Sequence, residues 1–243
     1  MCTVSWRQDS AGYELFFNRD ELRSRQTALP PRRIERDGLE VLSPVDADAG
    51  GSWLTVNTHG VTIALLNRYG IKTPASRFTS VRSRGQLVLD LSSAKSQSDA
   101  LERLYALELT DYRPFTLLVL EIDREPVMTA SDGHQLEVPS KPVAPLVSSS
   151  HDTAAATQAR IDLWRRTVDL QDSSTLAAFH RSHWPERGAA SPCMHRQDAR
   201  TVSSTHLTVT ADTISMAYAD GPPCTTAYGA PLVLERRPAA DAA

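Results

Sequence analysis

A thiol and a base can share one residue at the start of this chain. Cys2 follows Met1, and its small side chain permits removal of that methionine, leaving a cysteine with a free α-amine. This is the minimum equipment for nucleophilic attack without a separate histidine: the thiolate attacks, while the amine takes the proton and returns it. A cysteine at position 2 means little by itself. The tetrapeptide Asn18-Arg19-Asp20-Glu21, and where it falls, gives it meaning.

The elements that must position these groups are legible. Residues 3–6 suit a strand, Asp9-Ser10-Ala11-Gly12 is turn chemistry, and residues 13–18 are mostly aromatic and apolar, which predicts a β-hairpin. A turn centred between Ser10 and Ala11 sets Cys2 opposite Arg19, with Cβ atoms about 4.5–5.5 Å apart. A guanidinium at that distance favours the thiolate. Asp20, or Glu21 beyond it, could hold the α-amine. The competing reading makes the tetrapeptide a polar strand end leading into a charged loop. Register decides between them, because a one-residue slip turns Arg19 to the other face.

Farther along, the order is strands, helices, then strands again. Residues 52–58 and 61–67 predict a second hairpin turning at His59-Gly60. Leu101, Leu104 and Tyr105 recur at helical spacing, predicting a helix over 99–109 capped by Ser98. The apolar run 115–122 predicts a strand buried on both faces, and 127–130 with 135–138 a hairpin around Ser131-Asp132-Gly133. Helices are predicted over 154–168 and 175–183. Residues 200–210 and 213–218 form hairpin arms around Ala211-Asp212, and 232–234 an edge strand. This order argues an α+β fold rather than a doubly wound one. One domain spans 1–237, and 238–243, mostly alanine, reads as a disordered tail.

Composition narrows the function. A chain of 243 residues buries a full core, and a net charge of −3 offers nucleic acid no basic footprint. The arginine-rich stretch at 32–36 has acidic residues within or beside it and reads as a solvated face. No basic region followed by an apolar run opens the chain, and no segment reaches the about 18 apolar residues of a membrane helix. The expectation is a cytoplasmic protein with reduced thiols and no membrane insertion. Cys193 and Cys224 lack C-x-x-C spacing, so zinc is not expected; Cys193 reads as a buried strand residue and Cys224 as a loop thiol. Among the seven histidines, His180 and His183 are the one helical pair that could ligate metal or haem, and a polar helix edge explains them equally well. No metal or cofactor is therefore predicted.

Several motifs fall in a telling order. Met1-Cys2-Thr3 and Asn18-Arg19-Asp20-Glu21 are followed by Gly51-Ser52-Trp53-Leu54, by Ala64-Leu65-Leu66-Asn67, by Ser83-Arg84-Gly85 and by residues 193–202 with a cysteine and an Arg-Thr pair. Together they resemble the NRDE family, also called the transport and Golgi organisation 2 family. More distantly the layout resembles the choloylglycine hydrolase and penicillin V acylase group of N-terminal nucleophile hydrolases. Cys2, Arg19, Asn67 and Arg200 match that pattern in order. Asp20 follows the arginine by one residue rather than three. Where a second asparagine is expected the chain reads Leu146-Val147-Ser148-Ser149-Ser150, and Ser149 is the substitute, donating one hydrogen bond where an amide donates two.

The resemblance implies a four-layer αββα sandwich of two antiparallel sheets, with Cys2 opening into a cleft lined by loops such as 22–50 and 68–82. It implies attack by the Cys2 thiolate on an amide (C–N) or related acyl bond of a small molecule. Asn67 would then face the oxyanion, Asp20 orient the amine, and Arg200 steady the cluster or the substrate. Each has a plainer reading: Asn67 could cap a turn before Arg68-Tyr69-Gly70, and Arg200 could be a strand-end ion-pair partner. The family has also been tied to haem handling and to lipid or acyl-CoA homeostasis, so a non-catalytic binding and trafficking protein is the alternative. A retained fold with an idle nucleophile is the third reading.

Overall fold

The first hairpin forms in the register its turn dictates. In the computed structural model, which describes residues 2–71 and 82–237, β1 (Cys2–Asp9) pairs with β2 (Gly12–Leu22) so that Cys2 opposes Arg19. Gly12 makes the close approach possible: at φ +141° a Cβ there would lie 2.0 Å from the Val209 carbonyl oxygen.

Ten further strands follow: β3 (Leu29–Arg36), β4 (Leu39–Val45), β5 (Leu54–Asn57), β6 (Thr62–Asn67), β7 (Phe115–Leu120), β8 (Val127–Ser131), β9 (Leu146–Ser148), β10 (Ala199–Thr210), β11 (Thr213–Ala219) and β12 (Leu232–Glu235). They build two six-stranded antiparallel sheets, ordered β12-β11-β10-β2-β1-β9 and β3-β4-β5-β6-β7-β8. The helices are α1 (Arg84–Leu91), α2 (Gln97–Tyr105), α3 (Thr153–Thr167) and α4 (Ser173–Arg181).

Alternation along the strands sets the layers. Val4, Trp6, Leu15, Phe17, Leu207 and Val209 of the first sheet meet Leu54, Val56, Leu66 and Leu118 of the second in one buried core. Each such side chain taken from water contributes roughly 1.5–3 kcal/mol. Ile63, Leu117 and Val119 face the other way and bury Leu87, Val88 and Leu104 of α1 and α2. On the far side of the first sheet, α4 packs against β2 and α3 against β9. The result is the expected αββα sandwich. Among the described residues no helix is long and apolar enough to cross a membrane.

Several boundaries differ from expectation. The helix expected over 99–109 begins two residues earlier, because the Ser96 hydroxyl rather than Ser98 accepts from the Asp99 amide, and it ends at Tyr105. The helix expected over 175–183 is capped by Asp172 and ends at Arg181, leaving His183 beyond it. Residues 22–50 hold two strands, and the arginine-rich stretch is the exposed outer strand β3. Residues 135–138 form no strand and meet β8 through a single bridge between Leu136 and Ser131. Residues 238–243, and 72–81 of the loop 68–82, lie outside the described residues.

Candidate active site

Cys2 opens β1 at the edge of a cleft of about 330 Å³ lined by Arg19, Glu21, Trp53, Asn67, Arg84 and Arg113, among others. Direct opposition in the hairpin puts Cys2 and Arg19 on the same face. The Arg19 guanidinium lies 4.5 Å above the Trp53 ring and pairs with Asp46 at 2.9 Å and Glu21 at 3.2 Å. Arg25 braces both carboxylates, at 2.7 Å from Asp46 and 3.4 Å from Glu21. Arg19 Nη1 remains buried without a hydrogen-bond partner. Buried donors are rarely left so, and this one sits beside a thiol.

Cys2 has a second neighbour on its other side. Strand β9 pairs Cys2 with Ser148, whose hydroxyl is also buried and without a partner. Ser149, the residue singled out from sequence, lies one position on; its hydroxyl donates to the His151 carbonyl at 2.6 Å. Reading the serine run without the β1–β9 register could not tell these neighbours apart. Burial pushes the Cys2 thiol pKa up, Asp20 and Glu21 push the same way, and Arg19 opposes them.

Asn67 ends β6 in the same cleft, and its side-chain amide donates to the Tyr69 hydroxyl at 3.1 Å. Asp20 faces away from the cleft. It accepts from the Thr201 hydroxyl at 2.6 Å and from Arg160 at 3.5 Å, with no part of either charged side chain exposed. Arg160, on α3, also binds Thr3 Oγ1, the Ala189 carbonyl at 3.0 Å and, at 3.5 Å, the Cys2 carbonyl. A buried guanidinium so surrounded fixes the start of β1 from behind, and it stays charged although burial lowers its pKa. Arg200 does not reach the cleft. It is exposed, opposes Glu21 in the sheet, and lines an adjoining recess with Arg25 and Asp220. A bulge in β10 between Thr201 and Ser203 lets Thr201 turn to Asp20 while Ser203 opposes Arg19.

His180 and His183 do not form a pair. His180 is wholly buried on the helix side of the first sheet, 2.8 Å from the Ser5 hydroxyl, and burial pushes its pKa down to about 3, aided by Arg160 and His206.

Two motifs quoted from sequence gain physical content. Gly51 and Gly85 touch through their backbones: a Cβ on Gly51 would fall 2.4 Å from the Gly85 carbonyl carbon. The Ser52 amide donates to the Gly85 carbonyl at 3.0 Å, docking the start of α1 beside the cleft. Ser83 caps α1, and Arg84 follows as a cleft-lining cation held by the Pro114 carbonyl at 2.9 Å. Sequence reading passed over Ser148, Trp53, Arg84 and Arg160 as site residues. Arg84 and Trp53 carried a usable signal, since both lie inside quoted motifs.

The chain is similar in structure to a Caenorhabditis elegans N-acylethanolamine-hydrolyzing acid amidase ortholog, at 15% identity and a TM-score of 0.52, over 85% of this chain and 92% of that one. It is also similar to the C2A mutant of a conjugated bile acid hydrolase from Clostridium perfringens, at 10% identity and a TM-score of 0.47, over 98% and 97%. The fold is that of the N-terminal nucleophile hydrolases. No curated protein matches the chain in sequence. The family described as "Transport and Golgi organisation 2" matches residues 1–187, and the chain belongs to that family.

Proposed function

We propose that this protein is an N-terminal cysteine nucleophile hydrolase acting on an amide (C–N) or related acyl bond of a small molecule. The observation that carries the reading is the position of Cys2 in a cleft between two buried, unpartnered polar atoms, Arg19 Nη1 and Ser148 Oγ. Removal of Met1 gives Cys2 an α-amine. A free α-amine has pKa about 7.7–8.0 and a free thiol about 8.5; burial raises the Cys2 thiol, which works against transfer to the amine, and the Arg19 guanidinium offsets part of that rise. The Cys2 sulfur adds to the acyl carbon, forming a C–S bond, and the amine holds the thiol proton. Collapse of the tetrahedral species breaks the C–N bond as that proton passes to the leaving nitrogen, and water then cleaves the thioester.

In this scheme Asp20, gripped by Thr201 and Arg160, orients the amine, with Glu21 on the cleft side of the same strand. Arg19 favours the thiolate. Asn67, and Ser148 in preference to Ser149, donate to the oxyanion. Loss of one such donor costs on the order of 100- to 1000-fold in rate. Arg200 acts outside the reacting cluster. Arg84 and Arg113 have no carboxylate partner among the described residues and line the cleft, which favours a substrate bearing negative charge. A reducing compartment such as the cytoplasm suits a nucleophilic thiol.

The test is a cysteine-directed acyl probe with the adduct located by mass spectrometry. The reading requires labelling at Cys2 that is lost in Cys2→Ala. Labelling confined to Cys193 or Cys224 would overturn it.

A further inference from the structure

Four side chains that the hydrolase chemistry leaves unused converge at one point. His183 lies just past α4, Cys193 and His195 lie on the segment leading into β10, and Cys224 lies in the loop after β11. Their ligand atoms, one per residue, all fall within 4.8 Å of one another. His195 Nε2 is 3.5 Å from Cys193 Sγ and 3.3 Å from Cys224 Sγ. With Zn–S about 2.3 Å and Zn–N about 2.0–2.1 Å, tetrahedral geometry requires a nitrogen–sulfur edge of about 3.5 Å. The His183 and His195 rings stand edge to face at 5.1 Å between centroids, and His183 Nε2 is buried without a hydrogen-bond partner. A thiol–imidazole hydrogen bond accounts for one of these contacts, not for four donors meeting around one centre.

We propose that His183, Cys193, His195 and Cys224 form a structural zinc site. Two thiolates and two neutral imidazoles balance a divalent charge, and this soft donor set favours zinc over magnesium or calcium. Four protein ligands leave no position for substrate or water, so the ion is a clamp. The surroundings are already fixed. The Cys193 amide donates to the Ser182 carbonyl at 3.0 Å, and the Ser191 hydroxyl to the Cys193 carbonyl at 2.9 Å. Asn18 of β2 donates to the carbonyls of His180 at 2.8 Å and Pro192 at 3.0 Å, bracketing the segment that carries the ligands.

The clamp has a reason to be there. The segment it would tie down supplies the Ala189 and Ala190 carbonyls that hold Arg160, and Met194 exchanges hydrogen bonds with Thr201, which holds Asp20. Zinc would thus stiffen the wall behind Cys2 without entering the cleft. Ligands drawn from three separate segments escape any search for C-x-x-C spacing, which is why the sequence predicted no metal here. Three of the four also lie beyond residues 1–187, the part that the family match covers.

The experiment uses the full chain, purified with its thiols reduced and without chelator. Metal analysis should return one zinc per chain. Cobalt(II) exchanged into the site should give the intense visible bands of tetrahedral coordination and a thiolate-to-cobalt charge-transfer band. Cys224→Ser, in a half-exposed loop, should weaken zinc binding more than about 100-fold, beyond what loss of an outer partner costs, and His183→Gln should shift the cobalt bands. Chelation should open residues 182–198 to protease. The wild-type arm stands even if a variant fails to fold. Wild-type protein that retains no zinc after incubation with excess metal and gel filtration would overturn the proposal. So would the pale spectrum of hydrated cobalt, a Cys193–Cys224 disulfide in the reduced preparation, or Cys224→Ser binding zinc as tightly as wild type.

Discussion

Replacing Arg19 by alanine should raise the Cys2 thiol pKa, and the structure sets the size of the effect. Opposed Cβ atoms stand about 4.5–5.5 Å apart, so thiol and guanidinium charges are separated by about 6 Å. At an effective dielectric of about 20 that interaction is roughly 3 kcal/mol, or about two pK units. This is a ceiling, because Asp46 and Glu21 already offset the Arg19 charge at 2.9 and 3.2 Å. Arg25 would keep part of those carboxylates compensated once Arg19 is gone. The expected rise is about one unit, which slows alkylation roughly tenfold at any pH below the pKa. Arg19→Lys should recover only part of it, since an ammonium cannot bridge two carboxylates and stack on Trp53 together. The assay is the pH dependence of iodoacetamide alkylation at Cys2, followed by peptide mass spectrometry so that Cys193 and Cys224 stay in place. Direction separates charge from damage: burial is the largest cause of the raised pKa, so a loosened site would lower it and speed alkylation. Superimposable profiles in all three proteins would refute the shared site.

Intact mass should show that the active form begins at Cys2; a fully active preparation retaining Met1 would sink the amine as base. Arg84→Ala should lower the ratio of iodoacetate to iodoacetamide reactivity at Cys2, since it removes a cation from the cleft wall, and an unchanged ratio would remove the case for an anionic substrate. Arg160→Met should cost about 3–5 kcal/mol in urea unfolding because it strands the buried Asp20 carboxylate, whereas a loss under about 1 kcal/mol would mean the pair is solvated. His180 stays neutral in the fold down to about pH 3 but titrates near 6.5 when unfolded, so the unfolded state binds more protons between those values and stability falls as pH drops through that window. His180→Gln should flatten this slope by up to about 1.4 kcal/mol per pH unit. Haem titration should give only weak, non-stoichiometric binding; a saturable one-to-one Soret shift abolished by His183→Ala would favour the carrier reading.

Turn chemistry made the hairpins legible. Ser10-Ala11 and Ala211-Asp212 each fix a register, which then places whole strands, whereas the β5–β6 turn expected at His59-Gly60 centres on His59, pairing Leu54 with Ala64. What escaped reading is what tertiary contact decides. Strand β3 carries Pro30, Pro31 and charged side chains, and it forms as an outer strand because β4 offers it a partner on one side only. Strand β9 is three residues long and has meaning only beside β1. Helix α1 opens with Arg84-Gly85, a poor helical start, and is held by the backbone contact of Gly85 with Gly51.

The site was legible to the same depth and failed for the same reason. Asn18-Arg19-Asp20-Glu21 reads as one polar run, yet a strand turns alternate residues to opposite faces. Arg19 and Glu21 face the cleft with Cys2, while Asn18 and Asp20 face the helices. The first pair tunes the thiol from the cleft, while Asp20 of the second adds to its raised pKa from behind the sheet. The second fixes the backing: Asn18 holds the carbonyls of His180 and Pro192, and Asp20 joins Arg160 to Thr201. An Asn18→Asp change would therefore act from behind the sheet. It removes both amide donations and adds a buried negative charge, while leaving every cleft-lining side chain in place. The new charge should move the Cys2 alkylation profile only upward, in the direction Asp20 already pushes it, and the segment 182–198 should become protease-sensitive. A segment that stays protected from protease would mean that Asn18 does not hold the backing.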